Sequence, residues 1–198
     1  MLLKNNKRLL ELVNNLLDLA KSKEGKSSYS LEKKNIVIPV QETISEFMSV
    51  ATIVLKTDCN EVLAHIDALK ISQIVRNLVS NAIRYGDKDS IIVEVKQLNA
   101  QNQVLIRVKN KGIGIPEEER EKVFDPFFQS SKTRTQGVGT GLGLSICKEI
   151  VFAHKGSIWI DQDELDMTCV NFTVPCADNK ENMHNKDKMN HEEKNSIH

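Results

Sequence analysis

The hydrophobic pattern of this 198-residue chain predicts an α/β fold, in which amphipathic helices alternate with short β-branched strands. Three stretches carry that expectation. Residues 69–85 place Ile71, Ile74, Val75, Leu78, Val79, Ala82 and Ile83 on one helical face. Residues 90–98 and 103–109 are β-branched, partly alternating and joined by a polar turn, the pattern of an antiparallel hairpin. Residues 137–147, Gly-Val-Gly-Thr-Gly-Leu-Gly-Leu-Ser-Ile-Cys, run alternate glycines straight into an apolar helical pattern that reaches Ala153.

Composition narrows the function classes. A length of 198 residues fits one domain with appendages or two small domains, and a hydrophobic content of 40% supports a real core. Lys+Arg and Asp+Glu balance at 27 each, so no global field draws the chain to nucleic acid or to a membrane surface. No apolar run approaches the roughly 20 residues of a membrane span, and no signal peptide is recognisable, so this segment is expected in the cytoplasm. Cys59, Cys147, Cys169 and Cys176 form no CxxC pair and no metal spacing; they read as reduced, mostly packing residues.

Taken in order, residues 2–22 carry an apolar stripe (Leu9, Leu10, Val13, Leu16, Leu17, Ala20) that predicts a helix ending near Gly25. Its stripe needs a partner, either its own domain or, the favoured reading, an inter-chain bundle. Strands are expected at 31–38, ending at Pro39, at 52–57 and at 61–66, with a short helix over 40–50. Asp67 is placed to cap the 69–85 helix. Residues 117–122 predict a short helix, 124–128 a phenylalanine-rich anchor, and 129–136 a polar loop with Lys132 and Arg134 as its charges. Strands at 157–161 and 169–174 close the domain at Pro175, and the polar composition from Ala177 onward predicts a disordered tail.

Two features point to chemistry. On the long helix, Asn77, Asn81 and Tyr85 fall along the edge of the buried face, with Arg84 beside Asn77, where a cleft wall would stand. Asparagine is a poor helix former, so two at i, i+4 need a reason. The glycines of 137–143 can lie directly against a ligand, and the helix they open aims free N–H groups at it, which favours an anion such as phosphate. The histidines of the tail (His184, His191, His198) read as solvated rather than metal-binding.

The order of these features is specific: an asparagine-bearing helix (70–85), Asn-Lys-Gly-Ile-Gly-Ile after a strand (110–115), a phenylalanine cluster (124–128), and a glycine-rich helix start (139–144). Over roughly residues 31–175 the chain resembles the catalytic ATP-binding domain of sensor histidine kinases, within the ATPase superfamily of gyrase, the heat-shock chaperone and mismatch-repair proteins. The resemblance implies a two-layer α/β (α+β) sandwich of the Bergerat type: a mixed, mainly antiparallel sheet with three helices on one face, plus an N-terminal helix. It divides the chain into a partial dimerisation helix (1–27), an ATP-binding domain (28–176) and a tail (177–198).

The resemblance also implies ATP and Mg²⁺ as cofactors, with Asn81 as the metal ligand. Asn77, Asn81 and Arg84 would be catalytic. Nucleotide contacts are implied for these three and for Tyr85, Asn110, Gly112, Gly114 and Ile115. They are implied also for Lys132 and Arg134 in the lid, and for Gly139, Thr140, Gly141, Leu142, Gly143 and Leu144 around the phosphates. Two departures stand out. Most relatives carry aspartate where this chain has Asn110, so the adenine contact loses its charge assistance and ATP binding is expected to be weakened, not abolished. None of His65, His154, His184, His191 or His198 has the context of a phosphoacceptor, so the chain reads as beginning after it, with the acceptor on a dimerisation domain elsewhere.

Hydrolases of the superfamily use a glutamate at the position of Asn77, which cannot take a proton as a carboxylate does. The expectation is therefore phosphotransfer to a histidine, with a response regulator as an indirect partner and a homodimer formed through residues 2–22. The alternative is an ATP-responsive binding module or a kinase remnant without transfer; a slow ATPase switch is disfavoured by Asn77.

Overall fold

The computed structural model describes Val13, residues 28–133, 139–162 and 167–177. Apart from Val13, the helix expected over 2–22 lies outside the described residues, as do Arg134, Gly137 and the tail beyond Ala177. Among residues 28–177 as described, the strands and α-helices follow in the order β1 (Glu32–Asn35), α1 (Val37–Ser45), β2 (Ile53–Thr57), β3 (Leu63–Ile66), α2 (Ala68–Tyr85), β4 (Ile91–Leu98), β5 (Gln103–Asn110), α3 (Gly143–Ala153), β6 (Ile158–Gln162) and β7 (Thr168–Pro175).

The main sheet has the order β2-β4-β5-β7-β6. β2 runs parallel to β4, and every other pairing is antiparallel. β1 and β3 form a separate antiparallel pair, stitched to the end of β7 by a bridge between Ala64 and Cys176. The inner faces of α2 (Ile71, Ile74, Val75, Leu78) and of the sheet (Val93, Val95, Ile106, Phe172) share one buried core with Ile146 and Ile150 of α3. The mixed, mainly antiparallel sheet with three helices is the architecture expected from the sequence.

Two expectations are corrected. The first strand ends at Asn35, and Pro39 lies inside α1, not at a strand end. Proline fits there because the first helical turn leaves its N–H groups without intrahelical partners, so a missing one costs nothing. Asn35 makes the break: its side-chain oxygen accepts from Val37 N at 3.1 Å and from Val62 N at 3.0 Å. The helix expected over 117–122 is instead two separate 3₁₀ turns, Glu117–Glu119 and Lys122–Phe124.

α2 and α3 run antiparallel, pinned at both ends. At one end the Asn77 amide donates to Gly143 O at 3.3 Å. At the other, Asp67 caps α2 by accepting from Lys70 N at 3.2 Å, and its own N–H donates to His154 Nε2 at 3.0 Å. The second ring nitrogen, Nδ1, lies 2.7 Å from Ile150 O. With a backbone N–H aimed at Nε2 and a carbonyl at Nδ1, the ring is held neutral with its proton on Nδ1.

Burial, outweighing the Ile150 carbonyl and Asp67, lowers the His154 pKa below its ordinary 6.5. The unfolded chain therefore takes up a proton before the folded one does. The contribution of His154 to stability is full above pH 6.5 and is lost as pH falls through that value toward the lower folded pKa. The thermal midpoint should drop across this window, and a His154→Gln variant should lose that part of the slope; an unchanged slope in the variant contradicts the assignment.

Candidate functional site: a cleft between the long helix and the glycine loop

A cavity of about 910 Å³ opens between α2, the ends of β5 and β7, and the loop leading into α3. Strand register builds its floor. Val108 pairs with Val170 and Asn110 with Thr168 across β5 and β7, and all four line the cavity. Residues two apart on a strand share a face, so this floor follows from the pleat. At its Asn110 end, Gly86 and Gly112 form an isolated bridge beneath the Asn110 amide. A Cβ on Gly112 would stand 2.6 Å from Tyr85 O, so only glycine lets the two segments close. Gly112 thus shapes the site without lining it. The Asn110 amide nitrogen donates to Lys111 O at 3.3 Å, which leaves its oxygen as the acceptor available to a ligand.

The opposite end is built by residues 139–144. Gly141 is left-handed (φ +71°), and its carbonyl accepts from Phe127 N at 2.9 Å. A Cβ there would meet the Phe127 carbonyl carbon at 2.6 Å. α3 begins without a side-chain cap, so its first-turn N–H groups are free to meet an anion. Thr140 Oγ1 accepts from Leu142 N at 3.3 Å, and the Gln129 amide donates to Gly139 O at 2.7 Å. Tyr85 closes on this loop: its hydroxyl would be 2.8 Å from a Cβ on Gly139.

Asn77, Asn81, Arg84, Tyr85, Asn110, Gly114, Ile115, Gly139, Thr140, Gly141, Gly143 and Leu144 all line this one cavity, brought together from three separate stretches of chain. Leu142 does not; it is fully buried in the core beneath the loop. Lys132 does not line the cavity either, and its ammonium donates to Ile113 O at 3.0 Å, at the Asn110 end and away from the glycine loop. Arg134 lies outside the described residues.

Among the described lining residues the charges are Arg84 and Arg76, the latter ion-paired with Glu46 at 2.7 Å; no carboxylate and no histidine is among them. Such a lining favours a polyanion and offers no general base to activate water. Cys147, behind Asn77, is no nucleophile: burial pushes its thiol up to about 12, so it stays neutral. The Asn81 side chain bonds to no other described residue, leaving its amide oxygen free for a ligand.

The floor residues Val108, Thr168 and Val170 and the wall residues Gln129, Ser130 and Thr133 are not among the site residues expected from the sequence. The two-residue alternation ending at Asn110 was the available signal for Val108; the others depend on pairing between distant segments.

A fold with this cleft and this lining defines a class. Residues 66–178 match the family described as histidine kinase-, DNA gyrase B- and HSP90-like ATPases, and the chain belongs to it. Among curated relatives, it is 37% identical over 175 residues to the sensor protein kinase WalK of Staphylococcus saprophyticus, covering 85% of this chain and 28% of that protein. It is 36% identical over 180 residues to the sensor histidine kinase WalK of Bacillus subtilis, covering 88% of this chain and 30% of that protein. The chain thus spans less than a third of the length of these relatives. Among solved structures, the catalytic domain of histidine kinase ThkA superposes with a TM-score of 0.64 at 30% identity, over 73% of this chain and 97% of that one. ThkA in complex with the response regulator TrrA gives 0.66 at 27% identity, over 87% of this chain and 50% of that one.

No helix among the described residues is long and apolar enough to cross a membrane.

Proposed function

We propose that this chain binds Mg-ATP in the cleft and donates the γ-phosphate to a histidine on a dimerisation domain, as the catalytic half of a two-component sensor histidine kinase. The observation that carries this is the lining: Arg84, the amides and an uncapped helix start, with no carboxylate or histidine among the described lining residues to activate water. A cleft so lined holds a triphosphate and leaves the nucleophile to be supplied from outside. A response regulator is the further partner, consistent with the complex seen for ThkA. Residues 28–176 form the nucleotide domain in this reading, and residues 2–22 the end of a dimerisation helix through which two copies pair.

The residues take distinct roles. Asn110 accepts from the adenine amino group above the floor of Val108, Thr168 and Val170, and Gly112, Gly114 and Ile115 shape that end. Gly139, Thr140, Gly141, Gly143 and Leu144 surround the phosphates at the start of α3, with Leu142 anchoring the loop from below. Arg84 and Tyr85 flank the phosphates and the base. The free amide of Asn81 fits a Mg²⁺ ion, a hard cation that prefers oxygen donors and keeps several waters. Bound there, the ion would neutralise charge on the triphosphate oxygens during transfer. Asn77 holds α3 against α2 by its bond to Gly143 O, and so acts by positioning.

Calorimetric titration with Mg-ATP tests the reading: saturable heat is expected, and none at millimolar nucleotide contradicts it. Restoring a carboxylate by Asn110→Asp should tighten ATP binding by about three- to tenfold, because a charge-assisted hydrogen bond is roughly twice as strong as a neutral one. Unchanged or weaker binding in that variant places adenine elsewhere.

A further inference from the structure

Glu119 lies outside the cavity, yet it grips one of the cavity's walls. Its carboxylate accepts a short hydrogen bond from the Ser130 hydroxyl, and each of its oxygens lies 3.2 Å from Ser131 N. Ser130 is buried and, with Thr133, lines the cavity. Thr133 folds back onto the same turn, its N and Oγ1 donating to Ser130 O at 2.9 and 3.1 Å. On the other side of the turn, Lys132 donates to Ile113 O. Residues 130–133 are therefore tied at two points to the 113–119 segment, which itself supplies Ile113, Gly114 and Ile115 to the cavity. Hydrogen bonds from Ser130, then Ser131, hold the Glu119 pKa below its usual range, so the group is ionised near neutral pH.

We propose that Glu119 is a positioning residue for the nucleotide: it fixes the Ser130–Thr133 turn as a preformed wall and so sets affinity without touching the ligand. This rests on the reading that the cleft holds ATP. A wall ordered before binding spares the ligand the cost of ordering it. Losing Glu119 moves that cost onto the binding step, and the rate of transfer at saturation stays as it was.

The test compares wild type with Glu119→Ala, Glu119→Gln and Ser130→Ala. Without nucleotide, hydrogen exchange at the Ser131 amide should quicken by about tenfold or more in Glu119→Ala, since its acceptor is gone. Kd for Mg-ATP should rise by about three- to tenfold, with transfer at saturating ATP within about twofold of wild type. Glu119→Gln, which keeps one oxygen acceptor, should fall between the two. If Glu119→Ala does not fold, Glu119→Gln and Ser130→Ala decide, the latter losing only the hydroxyl donor and shifting Kd in the same direction. Wild-type exchange at Ser131, or faster exchange with unchanged Kd, overturns the proposal. The exchange arm uses no nucleotide, so a wild-type protein that fails to bind ATP overturns the functional reading separately.

Discussion

Replacing Asn81 by alanine is expected to cut γ-phosphate transfer by about 100-fold or more while leaving the fold intact. The amide faces the cavity and bonds to no other described residue, so its removal leaves no buried partner unsatisfied. What is lost is the oxygen that fits a Mg²⁺ ion, and metal stabilisation of the developing charge is worth several kcal/mol, about 1.4 kcal/mol per factor of ten in rate. Its neighbour one turn earlier provides the contrast. Asn77 donates to Gly143 O and sets the start of α3, so Asn77→Ala should lower stability by about 1 kcal/mol and disturb the glycine loop as well. Transfer rates across a Mg²⁺ series, with melting temperatures alongside, separate the two. An Asn81→Ala protein that transfers at near wild-type rate removes Asn81 from the metal site.

Gly141→Ala should damage the phosphate end of the cleft from within. The added Cβ would stand 2.6 Å from the Phe127 carbonyl carbon and 2.8 Å from its Cα, both backbone atoms that no rotamer change can move aside. The left-handed φ of +71° adds about 1–2 kcal/mol for any residue with a Cβ. Overpacking adds about 1–3 kcal/mol more. Phe127 is itself left-handed at φ +65° and hydrogen-bonded to Gly141, so the two backbones have to move together. Since 1 kcal/mol corresponds to about 2–4 °C in a chain of this size, the melting temperature should fall by at least about 4 °C. ATP affinity should fall by about tenfold or more as the loop leaves its place under the α3 N-terminus. A Gly141→Ala protein with wild-type melting and affinity would show that this packing is not needed.

Most of the fold was legible because hydrophobic period is a local property. The helix expected over 69–85 spans 68–85, and the hairpin expected at 90–98 and 103–109 spans 91–98 and 103–110. Pro39 misled because proline both ends strands and opens helices, and the choice was made by Asn35, whose second partner, Val62, is 27 residues away. Asn77, Asn81 and the glycines of 139–143 stood out by residue type, on a helix edge and at a helix start, whereas Asn110 and Gly114 were marked only by the family resemblance. Leu142, inside the glycine run, is expected among the ligand contacts, and its side chain is fully buried among the core residues. Lys132, expected among the nucleotide contacts of the lid, donates in this structure to a carbonyl 19 residues back. The grip of Glu119 on Ser130 joins residues 11 apart across a loop, and no periodicity encodes such a contact.

Mixed with γ-labelled ATP and a dimerisation domain carrying a phosphoacceptor histidine, the protein should transfer label to that domain. The bound label should be acid-labile and base-stable, and should disappear with Asn81→Ala. Label appearing only as inorganic phosphate, or no transfer from a protein that binds Mg-ATP, contradicts phosphotransfer to histidine and leaves a nucleotide-binding module in its place.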